Sequence, residues 1–269
     1  MNNRITELFA KQIPGSGGLL NVYFTAGFPK LDDTRKILSA LQHSGADLVE
    51  IGMPYSDPVA DGETIQASNQ KALENGMTVS LLLSQLKNMR EEVTLPVLLM
   101  GYFNPIVQYG VEKFCKEASE AGVDGLILPD LPLEEFKEHY KDLFDKYNLL
   151  NIFLITPQTK PDRIRQIDEA GSGFIYMVSS ASVTGAKTGV SDQMEAYFER
   201  VNDMGLTNPR LIGFGIKDRE SFQKASLYAS GAIIGSAFIR ILENSTDLHK
   251  DINSFISSIK PNKTEMISV

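Results

Sequence analysis

The chain has 269 residues, of which 42% are hydrophobic and 22% charged, and its formal net charge is -8. That length suits one α/β barrel or two smaller domains, and the composition lies far from the signature of disorder. The negative balance repels nucleic acid and anionic lipid, so neither is expected as a partner, yet backbone N–H groups and helix N-termini still allow a small anion to bind locally.

The first residues, M-N-N-R-I-T-E-L-F-A-K-Q, hold no apolar stretch of signal-peptide length and place Ile5, Leu8 and Phe9 on one helical face, which reads as a short docking helix. The P-G-S-G-G run (14–18) precedes a strand instead of following one, so it is a lead-in and not a nucleotide loop. Strand candidates rich in Val, Ile, Leu and Phe then occupy 19–27, 47–52, 96–102, 124–129, 151–156, 174–179, 210–215 and 231–235. None approaches the roughly 20 apolar residues needed to cross a bilayer. Amphipathic segments lie between them, as at 32–45, where Ile37, Leu38 and Leu41 share a face. Such segments close on Gly45, Gly122, Gly171, Gly205 and Gly231, each expected to take the left-handed conformation that ends a helix. The charged run 131–146 reads as a solvated helix with Leu133, Phe136, Tyr140 and Phe144 turned inward, and the tail after Lys260 is expected to fray.

Eight such βα units, with no long linker or shift in composition, make residues 1–269 one closed (β/α)8 TIM barrel in the α/β class. Residues 1–18 supply an extra N-terminal helix and its lead-in. A doubly wound open sheet is the alternative.

In such a barrel the C-terminal ends of the strands and the loops after them form the active face. The stretch V-E-I-G-M-P-Y-S-D-P-V-A-D-G (49–62) places Glu50 in the second strand, and alternation turns it into the barrel while Val49 and Ile51 face the helices. A carboxylate there is either one half of a structural ion pair or a functional acid whose pKa is raised by its apolar surroundings. The loop that follows adds Asp57 and Asp61 and is too long for a tight turn, which favours the functional reading. Two carboxylates on different supports can hold different protonation states, as acid–base chemistry requires.

Small residues follow the last three strand candidates, in S-S-A-S-V-T-G-A-K-T-G-V, G-F-G-I-K-D and G-S-A-F-I-R-I-L. Any one of these loops would read simply as a tight turn, but three converging loops and a helix opening at Gly235-Ser236 fit an anion, and this part of the fold commonly holds phosphate. The T-G-A-K-T-G run lacks the spacing of a nucleotide-binding P-loop, because Ala186 directly precedes Lys187. His43, His139 and His249 lie in helical runs away from the strand ends, so neither a His-based triad nor a metal site is expected. Cys115, the single cysteine, reads as a small core residue; it can form no internal disulfide and fits a reducing cytoplasm.

With E-I-G-M-P-Y-S-D-P-V-A-D-G, the S-V-T-G after the sixth strand candidate, and G-F-G-I and G-S-A after the last two, the chain resembles the tryptophan synthase α subunit over nearly its whole length. The first motif is highly specific; the glycine motifs are shared by other phosphate-binding barrels. The resemblance implies retro-aldol cleavage of indole-3-glycerol phosphate to indole and glyceraldehyde 3-phosphate. Indole would pass through a tunnel to a β subunit carrying pyridoxal phosphate, in a cytoplasmic α2β2 assembly, with no cofactor in this chain. It further implies that Glu50 and Asp61 are catalytic, that Tyr23, Met100, Tyr102, Tyr176 and Thr184 meet the substrate, and that Gly185, Gly215, Gly235 and Ser236 meet its phosphate. Asp57, Pro58 and Asn104, the last in the Y-F-N-P-I loop (102–106), are assigned to the partner's face on the same ground. Ser182 and Glu63 depart from the family pattern, which commonly has Gly and Pro there. A standalone indole-releasing lyase, another phosphate-binding barrel enzyme and a mainly regulatory, partner-activating subunit are the competing readings.

Overall fold

The computed structural model describes residues 3–13, 17–58, 61–178, 192–213 and 215–260. Strands of a parallel sheet are covered on both faces, and this accounts for the near-continuous apolar runs. In chain order they are β1 (Leu19–Thr25), β2 (Leu48–Gly52), β3 (Val97–Met100), β4 (Gly125–Ile127), β5 (Leu150–Ile152), β6 (Leu154–Ile155), β7 (Ile175–Val178), β8 (Arg210–Gly213) and β9 (Gly231–Ile234). Neighbouring strands pair in parallel in the order β5-β4-β3-β2-β1-β9-β8-β7-β6.

The two ends of that order, β5 and β6, are consecutive in the chain and separated only by Phe153, whose carbonyl accepts the Tyr176 N–H at 2.9 Å. They are one stave that pairs with β4 on one side and β7 on the other, so the ring closes as eight staves although nine strands are counted. The expected strand ranges overrun most of the C-terminal ends by one or two residues, because the chain there leaves the ladder for the connections at the mouth.

The helices are α1 (Arg4–Ala10), α2 (Thr34–Ser44), α3 (Glu63–Glu74), α4 (Val79–Leu86), α5 (Phe103–Tyr109), α6 (Val111–Ala121), α7 (Leu133–Glu135) and α8 (Lys141–Lys146), then α9 (Pro161–Ala170), α10 (Asp192–Asn202), α11 (Arg219–Ser226), α12 (Ser236–Glu243) and α13 (Leu248–Ile259). A π-helical stretch, Phe136–Tyr140, joins α7 to α8; Leu133, Phe136 and Phe144 are buried along this run and Tyr140 is half-buried. Residues 103–106, expected as loop, form the first turn of α5. Pro105 is tolerated there because the N–H it lacks has no partner within a first turn, and the Asp130 carboxylate accepts the Phe103 N–H at 2.9 Å.

Gly45 and Gly122 end α2 and α6 in the left-handed conformation, with φ of 92° each. Two other expected closures do not hold. Gly171 is extended at φ -82° and ψ 168°, and the left-handed step falls on Gly173 instead. Gly231 is the first residue of β9, where a Cβ would run into the backbone of Leu19 on β1, so strand contact and not helix capping requires the glycine.

Alternation divides the apolar residues into two cores. Val22, Phe24, Val49, Ile51 and Leu99 face the helices, while Leu19, Leu48, Leu98, Ile127, Ile152, Phe174, Leu211 and Ile233 fill the barrel. The N-terminal helix belongs to the inner core: Ile5 is fully buried in it, and Phe9 stacks on Phe174 with ring centroids 5.7 Å apart. Thus α1 stoppers the N-terminal mouth. Asn3 caps it by accepting the Ile5 N–H at 2.9 Å and also donates to the Asp124 carbonyl at 2.9 Å.

Asp124, buried at the start of β4, joins this stopper to the wall, pairing with Arg4 at 3.0 Å and Arg90 at 2.5 Å and accepting the Val97 N–H at 2.8 Å. Arg4 stays 44% exposed and Arg90 only 17%, so the buried partner dominates. Asp124→Ala is expected to cost about 3–5 kcal/mol, because it leaves the largely buried Arg90 without its counter-charge, and Arg4→Ala under about 1 kcal/mol, as for an exposed pair. Urea denaturation of both variants measures the contrast.

Candidate active site

On β1 the inward row is Leu19, Asn21 and Tyr23; on β2 it is Leu48, Glu50 and Gly52, with Tyr23 level with Glu50 in the parallel register. Gly52 is needed there because a Cβ would collide with the Tyr23 hydroxyl, and Gly213 on β8 gives the same room to Tyr176. Glu50 is fully buried. Its Oε1 accepts a hydrogen bond from the Asn21 side-chain amide, and its Oε2 has no hydrogen-bond partner among the described residues. Burial pushes the Glu50 carboxyl up to about 8, against the opposing pull of the Asn21 donor.

Asp61 lies in the loop between β2 and α3. The Asp61 N–H donates to the Pro58 carbonyl at 3.1 Å, and Gln66 from α3 donates to the Asp61 carbonyl at 2.8 Å, which ties the loop to the helix behind it. Burial raises Asp61 less far, to about 6, so near neutral pH Glu50 holds its proton while Asp61 is mostly ionised. Burial also lifts both tyrosine hydroxyls well above their ordinary range, and the negative charges of Glu50 and Asp61 push in the same direction. A hydrogen-bonded series runs from Tyr23 to Thr25 at 3.4 Å and on to Ser68 of α3 at 2.7 Å.

A cleft opens at the C-terminal mouth, lined by Tyr23, Met53, Asp61, Asn69, Met100 and Tyr102 together with Gly101 and Pro129. Tyr102 is buried and stacks on Tyr55 with centroids 5.0 Å apart. Glu50 and Tyr176 lie deeper in the barrel. The structure therefore gathers Tyr23, Asp61, Met100 and Tyr102 around one cleft with Glu50 beneath it.

Of the residues assigned to phosphate, Gly215 is exposed after β8 with φ 77°, and Gly235 and Ser236 open α12 half-buried. Gly235 lies against Tyr23, 3.6 Å from its Cβ to a Cβ built on the glycine, so the N-terminus of α12 borders the cleft. Thr184, Gly185 and Ser182 lie outside the described residues. Asp57 and Asn104 are exposed on the rim and Pro58 is half-buried. His43, His139 and Cys115 occupy helices away from the cleft, and among the described residues no group of three or more His, Cys, Asp or Glu side chains is placed to hold a metal ion.

Sequence reasoning overlooked Asn21, Ser68 and Asn69. Each had a signal: a polar residue on a row otherwise apolar. The buried face of α3 is Ile65, Ser68, Asn69 and Ala72, and two of these four carry hydrogen-bonding groups toward the barrel.

A parallel (β/α)8 barrel with one buried carboxyl inside and another on the adjoining loop, each raised by burial to a different extent, is an arrangement suited to acid–base chemistry in an enzyme. The model of the tryptophan synthase alpha chain family matches residues 9–266, and the chain belongs to that family. It is 58% identical over 243 residues to the tryptophan synthase alpha chain of Christiangramia forsetii, covering 90% of this chain and 94% of the relative. With that of Flavobacterium johnsoniae it shares 52% over 258 residues, covering 96% and 100%. Among solved structures, the alpha subunit from Legionella pneumophila superposes with a TM-score of 0.86 at 33% identity, covering 96% of this chain and 97% of that one. Tryptophan synthase from M. tuberculosis, in an aminoacrylate-bound form, gives 0.84 at 27% identity, covering 97% and 99%. The chain is a lyase-type enzyme subunit, and its family implies a β-subunit partner.

The buried acid also makes stability depend on pH. Folded, Glu50 keeps its proton up to about pH 8, whereas its ordinary value is 4.5. Between those values the folded state binds more protons than the unfolded, so Glu50 contributes full stability below 4.5 and loses it as pH rises through 8. Glu50→Gln is expected to flatten that decline, as chemical denaturation at a series of pH values would show.

Proposed function

We propose that Glu50 and Asp61 divide the acid–base work of cleaving indole-3-glycerol phosphate. The observation that carries this is the separation of their protonation states, about 8 against about 6, at one mouth of the barrel. Indole leaves as a neutral ring only if its C3 is protonated first. Neutral Glu50 gives C3 that proton, and positive charge develops at the ring N–H. The Asp61 carboxylate accepts from that N–H and stabilises the charge as it grows. The bond from C3 to the side chain then breaks, and its electron pair restores the aromatic ring. The Glu50 carboxylate takes the proton of the adjacent hydroxyl, whose oxygen becomes the aldehyde of glyceraldehyde 3-phosphate. One proton is given and one is returned, so Glu50 ends in its starting state.

Tyr23, Met100 and Tyr102 supply the wall for the indole ring, with Tyr176 deeper in the barrel beside Glu50; Thr184, which follows β7 in the chain, is assigned to the substrate as well. Gly215, Gly235 and Ser236, with Gly185, hold the phosphate through backbone N–H groups and the positive end of α12. The bordering of Gly235 on Tyr23 supports this, because it brings the two ends of the substrate within one cleft. Asp57, Pro58 and Asn104 form part of the face for the β subunit in an α2β2 assembly, which receives indole and carries the pyridoxal phosphate; the exposure of Asp57 and Asn104 on the same rim supports this.

Glu50→Gln and Asp61→Asn are each expected to lower kcat for indole release by about 10²–10⁴-fold, the range of a lost general acid or charge partner, with circular dichroism unchanged. Wild-type kcat/KM is expected to fall as pH drops through about 6, where Asp61 takes up a proton, and as it rises through about 8, where Glu50 loses one. Full activity in either variant refutes the assignment. Adding the β subunit is expected to accelerate indole release, and Asn104→Ala and Pro58→Ala to weaken that response; an unaltered response in both excludes this rim from the interface.

A further inference from the structure

Asn21 is a polar residue where packing calls for an apolar one. It is fully buried on the inward row of β1, between Leu19 and Tyr23. A buried amide is costly unless its groups are paired, and only half of this one is satisfied in the way packing demands. The side-chain N–H donates to Glu50 Oε1, while Asn21 Oδ1 has no hydrogen-bond partner among the described residues. The fold thus tolerates an orphaned oxygen in order to keep a donor beside Glu50.

The register fixes the direction of that bond. Asn21 is level with Leu48 and Tyr23 with Glu50, so Asn21 sits one inward row closer to the stoppered N-terminal mouth. It therefore reaches Glu50 from below, on the side away from the cleft. Tyr23 on β1, Tyr176 on β7 and Asp61 on the loop after β2 are the other titratable groups around the acid, and the hydrogen bond to its Oε1 comes from Asn21.

We propose that Asn21 is a positioning residue for Glu50: its amide holds Oε1 in both protonation states and leaves Oε2 as the one oxygen that gives and takes back the substrate's proton. An amide N–H can only donate. When Glu50 is neutral, the oxygen that accepts this bond is the carbonyl oxygen, so the acidic hydrogen resides on Oε2. When Glu50 is ionised, the same bond persists and Oε2 remains the free base. Proton donation and recapture then proceed at a single atom without rotation of the carboxyl group. The inference rests on the reading of Glu50 as the proton donor.

Two variants test it, Asn21→Leu, which matches the side chain in size, and Asn21→Ser, which cannot overfill the site. Indole release is assayed in the presence of the β subunit over a range of pH. In parallel, the substrate-free chain is titrated by infrared spectroscopy, following the carboxyl C=O band that disappears in Glu50→Gln. Both variants are expected to lower kcat about tenfold and change KM less than about twofold, as for a group that acts only in the chemical step. Loss of the donor is expected to raise the Glu50 midpoint by about one pH unit, since a hydrogen bond to a charged group is removed. An unmoved midpoint in both variants overturns the proposal, even if kcat falls. A downward shift also overturns it, because the amide oxygen would then be accepting the acid's proton. An upward shift with unchanged kcat shows the bond but overturns the positioning role, whereas the donor role of Glu50 fails only through full activity of Glu50→Gln, so the two readings fail separately.

Discussion

Everything at the mouth of this barrel depends on the cost of putting a carboxylate where water cannot reach it. Ionising a group inside the apolar lining of a closed sheet is expensive, and a lone carboxyl there lowers the cost by keeping its proton. Among the described residues no cation pairs with Glu50; its hydrogen-bond partner there is the neutral amide of Asn21. Contrast Asp124, equally buried at the opposite end of the barrel but held between Arg4 and Arg90. The first acid keeps its proton in its isolation, and the second is held as a charge by its partners.

The same contrast decides what the sequence could disclose. The alternation of apolar strands and amphipathic helices was enough for the barrel, and Glu50 stood out because a single charge interrupts L-V-E-I-G on an inward position. Asn21 interrupts L-L-N-V-Y-F-T in the same manner, but a neutral side chain in a strand attracts less notice than a charge. Ser68 and Asn69 were legible in principle from the helical spacing of Ile65 and Ala72.

Other features were not legible, because they depend on residues far apart in the chain. The break at Phe153 exists because β5 pairs with β4 and β6 with β7, a handover that no local pattern encodes. Y-F-N-P-I reads as a turn until Asp130, distant in sequence, accepts the N–H of Phe103 and starts a helix. Gly231 resembles a helix cap in sequence, and only the approach of Leu19 reveals its purpose. Glycines opposite tyrosines, Gly52 to Tyr23 and Gly213 to Tyr176, likewise have no signature until the barrel closes.

The N-terminal stopper has a consequence for traffic. With Ile5 and Phe9 seated in the base and the lower rows filled by Leu19, Leu48, Leu98 and Ile233, the barrel is a blind vessel. The cleft opens instead at the rim where Asp61 and Tyr102 lie, and that rim also carries Asn104. Among the described residues the packed base thus leaves the rim as the side on which the cleft meets its surroundings.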